Sequence, residues 1–151
     1  MTYISRKVLP LKVDFLSLSY TGAVVSNPVF SLSGSLNNTS ATLANDKITL
    51  YSGSHWRIES SQQVFSVSSV GAVCFSQIYS VTNSQTVGFD GVLSRDVEVR
   101  GRETATALIL SGDISTSEEF QFQVQGTSGQ LSASTDPLYL YGVVKIMELP
   151  A

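Results

Sequence analysis

The chain contains one histidine, His55, and one cysteine, Cys74, and these are its two candidates for acid–base or nucleophilic chemistry. A Ser-His-Asp triad would have to use His55, and the sequence has no Gly-x-Ser-x-Gly motif to supply the nucleophile. Cys74 lies in an apolar run, residues 70–75, where a cysteine is usually a small buried hydrophobic residue. A reactive thiolate would need a basic and partly exposed setting. We therefore expect no catalytic residue and predict that the protein is not an enzyme.

A charged cluster between positions 95 and 103 is the next candidate for chemistry. Alternation with Val97 and Val99 places Asp96 and Glu98 on one face of a strand. Because arginines are interleaved with these acids, an ion-pair ladder, either exposed to solvent or formed between subunits, is favoured over a paired-carboxylate active site. The expected ion-pairing residues are Arg95, Asp96, Glu98, Arg100, Arg102 and Glu103. With one cysteine and no Asp-x-Asp-x-Asp-Gly loop, we expect no metal and no cofactor.

Charge is scarce in the chain as a whole. Charged residues make up 14% of its 151 residues, and the net charge is −3. Soluble domains usually carry roughly 25% charged residues, so solubility here must depend on Ser, Thr, Asn and Gln. A surface of this kind suits packing against other subunits, whereas nucleic acid would need clustered Lys and Arg. No apolar run approaches the roughly 18 residues of a membrane helix, so we expect neither a nucleic-acid nor a membrane partner.

The first twelve residues carry an unusual concentration of positive charge. Arg6, Lys7 and Lys12 precede the first acidic residue, Asp14, and Pro10 favours an extended backbone. Two interpretations remain open: a frayed chain end, or an extended arm that lies on a neighbouring protein. We assign residues 1–12 to an N-terminal arm and residues 13–151 to one domain, a size that supports its own core.

The elements that must position these residues are β-strands. Period-two alternation dominates, most clearly at residues 120–125, where Phe, Phe and Val alternate with Gln. Turn residues punctuate the alternating runs, and we read Asp90-Gly91 as a hairpin turn and residues 33–45 as a long surface loop. The predicted strands cover about 13–20, 30–33, 48–50, 56–59, 64–68, 70–81, 87–93, 104–110, 120–125 and 138–149. About nine or ten short strands predict an all-β, antiparallel, jelly-roll-like β-sandwich.

The final predicted strand, residues 138–149, is apolar on both faces for much of its length. A strand that is covered on both faces lies either centrally in a sheet or at a contact between subunits. Both positions remain open at the level of sequence.

Three segments in order resemble the C1q/TNF-like jelly-roll domains of bacteriophage structural proteins. They are residues 52–59, where a small residue, His55 and Trp56 lead into a strand ending in Ile58 and Glu59, then 73–84, and then 120–125 with 139–146. The resemblance implies a homotrimer around a threefold axis. The residues that it implies at the axis are Phe120, Phe122, Val124, Tyr139, Tyr141 and Val143.

The resemblance also implies a role at the surface of a virus particle. No collagen-like stalk or coiled coil precedes the domain, which favours a compact capsid cement or decoration protein over a long fibre. Such a protein would bind the major capsid protein through its arm, with Arg6, Lys7 and Lys12 in contact with the coat. The alternative is a receptor-binding knob of a phage tail or head fibre, whose loops at 33–45 and 111–119 would touch a host surface glycan.

Overall fold

The computed structural model describes residues 12–22, 28–37, 40–66, 72–95, 99–110, 112–126 and 138–149. Every regular element within these ranges is a β-strand. The ten strands are β1 Lys12–Gly22, β2 Ser31–Ser33, β3 Ala41–Ala44, β4 Lys47–Tyr51, β5 His55–Ser66, β6 Ala72–Ser80, β7 Gln85–Arg95, β8 Val99–Ile109, β9 Ser117–Gly126 and β10 Leu138–Leu149. The predicted all-β, jelly-roll-like fold is confirmed.

The strands pair antiparallel in the order β2-β1-β10-β5-β8-β7-β6-β9-β4-β3. This curled arrangement forms two layers. The front sheet consists of β2, β1, β10, β5 and β8, and the back sheet consists of β7, β6, β9, β4 and β3. Because β10 pairs with β1 on one side and β5 on the other, the two-faced apolar strand predicted from sequence lies inside the front sheet.

Alternating side chains from both sheets fill the core between them. Trp56 and Ile58 enter from the front sheet, and Phe120 and Phe122 enter from the back sheet, all with 0% exposure. Complete burial of a side chain of this size stabilises the folded state by about 1.5–3 kcal/mol. The period-two pattern read from sequence therefore corresponds to the inward and outward faces of real strands.

One margin of the sandwich is closed by a segment that changes sheets. The Phe30 N–H donates to the Phe122 carbonyl at 2.9 Å, and the Val124 N–H donates to the Pro28 carbonyl at 3.1 Å, so residues 28–30 pair with β9 of the back sheet. The next three residues form β2, which pairs with β1 of the front sheet. Phe30, at the crossing point, is completely buried.

The β3–β4 hairpin reinforces the same margin. Its turn residues, Asn45 and Asp46, have φ values of 53° and 58°, which is the type I′ geometry that tight hairpins favour. The Asp46 side-chain Oδ1 accepts a hydrogen bond from the Leu32 backbone N–H at 3.0 Å. A turn of the back sheet is thereby tied to the edge strand of the front sheet.

Three local sequence predictions are wrong. Residues 41–44, assigned to a long loop, form β3 and bury Ala41, because the hairpin pairs them with β4. Residues 56–59 and 64–68, assigned to two strands, belong to one strand as far as Ser66, held by β8 and β10. Asp90-Gly91 is not a turn, because β7 continues through it and Gly91 pairs with Ser76.

The two sheets meet on their other side where β7 runs along β8. Gly88 has a φ of 72°, a left-handed conformation that favours glycine. A Cβ atom here would clash with the Thr106 carbonyl oxygen and would lie 2.7 Å from the Cα atom of Ala107. The absence of a side chain therefore permits the close approach of β7 to β8, with Phe89 opposite Thr106.

We predict that Gly88→Ala lowers the free energy of unfolding by at least about 3 kcal/mol, because overpacking and the positive φ act together. Urea unfolding monitored by fluorescence of Trp56 measures the loss. Gly112→Ala is the matched control, since no heavy atom lies within 4 Å of the added Cβ atom there. Equal effects of the two substitutions would contradict the close-approach argument.

Candidate interaction surfaces

The outer face of the front sheet carries exposed apolar side chains on β1 and β10. Phe15 is 60% exposed, Tyr141 54% and Val143 37%. The register places Phe15 opposite Lys145, and Val143 opposite Ser17, so all three side chains point away from the core. We call Phe15, Tyr141 and Val143 the β1–β10 patch.

A second apolar surface lies on the same side of the molecule, where β8 of the front sheet pairs with β7. Phe89 is 82% exposed and Leu108 is 62% exposed, and we call these two residues the β7–β8 patch. Both line an open cavity of about 410 Å³, together with Arg57, Gly88, Thr106, Ala107 and Leu149. Contiguous exposed apolar side chains are typical of contact sites, and Phe89 and Leu108 line the same cavity.

A charged strip on β5 and β10 separates the two patches. Arg57 Nη2 lies 2.8 Å from Glu59 Oε1, and Lys145 pairs in register with Glu59. In the row across the sheet, Phe15 is opposite Lys145, Lys145 opposite Glu59, Glu59 opposite Thr106, and Thr106 opposite Phe89. Three strands therefore separate Phe15 from Phe89 on one face, and β5 alone lies between β10 of one patch and β8 of the other.

The outer face of the back sheet has a different chemistry. Gln77, 5% exposed, donates from Nε2 to Asp90 Oδ2 at 3.1 Å and to Gln125 Oε1 at 2.9 Å. Its Oε1 accepts from Gln123 Nε2 at 2.9 Å, and Gln121 Nε2 donates to Gln123 Oε1 at 3.3 Å. We call this chain of side-chain amides the amide ladder. Its polar groups satisfy one another, so this face has less need of a partner than the front face.

A polar groove of about 390 Å³ lies at one end of the sandwich, between the β6–β7 hairpin and the β8–β9 connection. Glu118, 6% exposed, accepts from Ser80 Oγ at 2.5 Å and from Asn83 Nδ2 at 2.7 Å. Asp113 lines the same groove, and its Oδ2 accepts from the Leu110 N–H at 3.0 Å. We call this the acidic groove. None of the three described ion pairs, Lys12–Glu148, Lys47–Glu119 and Arg57–Glu59, places a cation in it.

The structure separates the six residues that the resemblance implied at a trimer axis. Phe120, Phe122 and Val124 are 0% exposed, so they belong to the core of the single chain and present no surface to another copy. Tyr141 and Val143 are exposed and form part of the β1–β10 patch. Tyr139 lies in β10, opposite Thr21 of β1, but its side chain is outside the described part of the chain. Sequence reasoning missed Phe15, Phe89 and Leu108, because an isolated apolar residue in an alternating strand looks like a core position.

The structure describes some of the charged residues that the sequence analysis assigned to the arm and to the cluster at positions 95–103. Lys12 begins β1, and its Nζ lies 3.8 Å from Glu148 Oε2, whereas Arg6 and Lys7 lie outside the described residues. The backbones of four members of the charged cluster belong to β7 or β8, while Asp96 and Glu98 lie outside the described residues. Those four are Arg95, Arg100, Arg102 and Glu103. Ion pairing between subunits stays a prediction for the whole cluster.

The two residues considered for catalysis are held in regular strands. His55 begins β5, opposite Leu149, and Cys74 lies in β6, opposite Gly126. Among the described residues, no three His, Cys, Asp or Glu side chains are grouped so that they could hold a metal ion. Nor does the described part of the chain contain a helix able to cross a membrane.

Comparison with known proteins identifies the fold. No protein family and no curated protein matches the sequence. Two crystal structures of murine APRIL, at pH 8.0 and pH 8.5, are similar with TM-scores of 0.51 and 0.52 and identities of 8% and 9%, each covering 90% of this chain and 100% of the APRIL chain. An infectious bursal disease virus VP2 subviral particle has a TM-score of 0.47 and 12% identity, over 91% of this chain and 32% of the VP2 chain.

The likeness to APRIL shows a TNF-like jelly-roll fold. Identities this low carry information about the fold and none about activity or partners. The bacteriophage origin implied by the sequence resemblance stays a prediction.

We predict that Gln77→Ala lowers the free energy of unfolding by about 2–3 kcal/mol, because three hydrogen bonds of a buried amide are lost together. Chemical denaturation measures the change. Gln85→Ala, at an exposed position of the neighbouring strand, should stay within about 0.5 kcal/mol of the parent protein. A loss at Gln77 as small as at Gln85 would show that the amide ladder contributes little to stability.

Proposed function

We propose that the protein is a virion structural protein, a trimeric capsid cement or decoration protein that binds the major capsid protein at the capsid surface. The proposal rests on the resemblance of three segments to phage structural proteins and on the fact that the prominent features of the chain are surfaces. On this proposal the protein is not an enzyme, and it works by adhesion.

The observation that carries the proposal is the pair of exposed apolar patches, one on β1 and β10 and one on β7 and β8, on the same side of the molecule. In a twofold contact the same face of both copies meets, so each patch would contact the unlike patch of its partner. A head-to-tail contact also joins one patch to the unlike patch of the next copy, and it closes into a ring when its rotation permits. Both contacts suit the β7–β8 patch and the β1–β10 patch, and the threefold axis that the sequence resemblance implies selects the ring.

The charged strip between the patches fits the same assembly. Interfaces usually combine an apolar centre with a polar rim. With the two patches covered by neighbouring copies, Arg57, Glu59 and Lys145 would border the contacts and restrict their register. The number of copies, three, comes from the sequence resemblance.

A trimer explains how a small domain with few charges could stabilise a shell. Three copies of a modest contact act together through their effective concentration and bind far more tightly than one. The amide-covered back sheet would then face outward as a closed polar surface.

We predict that Phe15→Ser and Phe89→Ser each convert the trimer into single copies, because each removes an apolar anchor from one of the two unlike patches. Sedimentation equilibrium measures the mass. Tyr51→Ser is the matched control, since Tyr51 is an exposed aromatic residue, 42%, on the back sheet. Phe15→Ser and Phe89→Ser variants that remain trimeric, or a parent protein that is monomeric, would contradict the proposed contact.

We predict that the Phe15→Ser variant binds empty coat shells of the parent particle at least about 100-fold more weakly than the trimer, since multivalency is lost. Co-sedimentation with the shells measures binding, with Tyr51→Ser again as the control. Equal binding by single copies would argue against multivalent cementing. Specific binding to a glycan array, without binding to shells, would favour the receptor-binding alternative.

A further inference from the structure

The two most exposed aromatic side chains among the described residues lie in one row across the sheet. Phe89 is 82% exposed and Phe15 is 60% exposed. The register runs from Phe15 through Lys145, Glu59 and Thr106 to Phe89. Because partners in antiparallel strands lie directly opposite each other, the members of this row share one height along the strands. The two rings therefore mark the two ends of a single row on the outer face.

The sheet itself prevents these two rings from meeting within one copy. Three strands, β10, β5 and β8, lie between β1 and β7. Four strand spacings of about 4.8 Å place the backbones of Phe15 and Phe89 roughly 19 Å apart along the sheet. Both side chains leave the same surface, and neither is long enough to cross that distance. Any contact between the two rings therefore joins two copies of the chain.

A second row repeats the arrangement two residues further along the strands. The register that starts at Val13, which is half-buried, ends on β8 at Leu108, which is 62% exposed. By contrast, the row through Tyr141 continues to Gln63 and Arg102, which are polar residue types. Apolar residues thus occupy both ends of the sheet at two successive heights, and Tyr141 lies at a different height.

The cavity beside Phe89 suits an aromatic side chain. It is open, has a volume of about 410 Å³, and is lined by Phe89, Leu108 and Arg57. A cavity of about 150 Å³ is large enough to hold a benzene molecule, so a phenyl ring fits here with room for a neighbouring side chain. Glu59 holds the Arg57 guanidinium at 2.8 Å, and a guanidinium placed over an aromatic face is attracted to it.

We propose that Phe15 of each copy enters this cavity in the neighbouring copy, with its ring against Phe89 and Leu108. A rotation axis that runs along the strands keeps every residue at its own height, so it brings the Phe15 end of the row to the Phe89 end of the next copy. The inference rests on the proposed assembly and names the side chains that join its two patches. It also fixes the direction of the symmetry axis relative to the strands.

A double-mutant cycle on association of the copies tests the contact between the rings. Phe15→Leu and Phe89→Leu each keep an apolar side chain and remove a ring. Sedimentation equilibrium gives the dissociation constant per contact, and we expect each substitution to raise it. The double variant should raise it about fivefold less than the product of the two single effects, because each ring has already lost its partner. The matched control combines Tyr141→Leu with Phe89→Leu, and there the two effects should multiply.

Cross-linking tests whether the rows of neighbouring copies are aligned. Ser17 and Thr104 are exposed and lie at the two ends of the row next to that of Phe15. Ser17→Cys and Thr104→Cys in a Cys74→Ser background, treated with a short bismaleimide, should give dimers and trimers on a denaturing gel. The control replaces Thr104→Cys by Thr42→Cys, an exposed position on the back sheet, and should cross-link at least about tenfold less. Equal cross-linking of the two pairs would overturn the inference.

The outcomes separate this inference from the proposed function. Trimers with coupling between Phe15 and Phe89 support both. Trimers in which the two effects multiply, as in the Tyr141 control, overturn the inference and leave the proposed function standing. Dimers that show the coupling support the contact between the rings and overturn the trimer. Single copies of the parent protein in solution overturn both.

Discussion

The close approach of β7 to β8 at Gly88 is the constraint on which the rest of the molecule depends. The two sheets have to join along this side, and the backbone of β8 leaves no room for a side chain there. The same pairing places Phe89 opposite Thr106 on the outer face of the molecule. One local packing requirement therefore closes the sandwich and also fixes the position of Phe89, the most exposed aromatic side chain among the described residues.

The outer faces of the two sheets differ in the side chains that they carry. On the back sheet, side-chain amides form a ladder across neighbouring strands, and the buried Gln77 finds three partners there. On the outer face of the front sheet and of the adjoining strand β7, two unlike apolar patches flank a strip of charged side chains. A face that satisfies its own polar groups has little to gain from a partner, whereas exposed apolar area is stabilised by burial. This asymmetry is the physical basis for assigning assembly to the front sheet.

One buried carboxylate connects two parts of the back sheet. Glu118, 6% exposed, accepts hydrogen bonds from Ser80 Oγ and Asn83 Nδ2 at one end of the sandwich. It therefore ties the start of β9 to the β6–β7 hairpin, and its hydrogen bonds are made within the chain.

The sequence alone determined the all-β class, most strand positions and the outward–inward alternation of β9, because these depend on the period of side chains along one strand. Tertiary structure decided the rest. It showed that Phe120, Phe122 and Val124 serve the core of a single chain, that Asp90-Gly91 continues a strand, and that Phe15 and Phe89 face outward. It also brought Asn83 to Glu118 across 35 positions of the sequence. The reason is physical: alternation marks two faces of a strand, but which face meets the other sheet depends on pairing between distant segments.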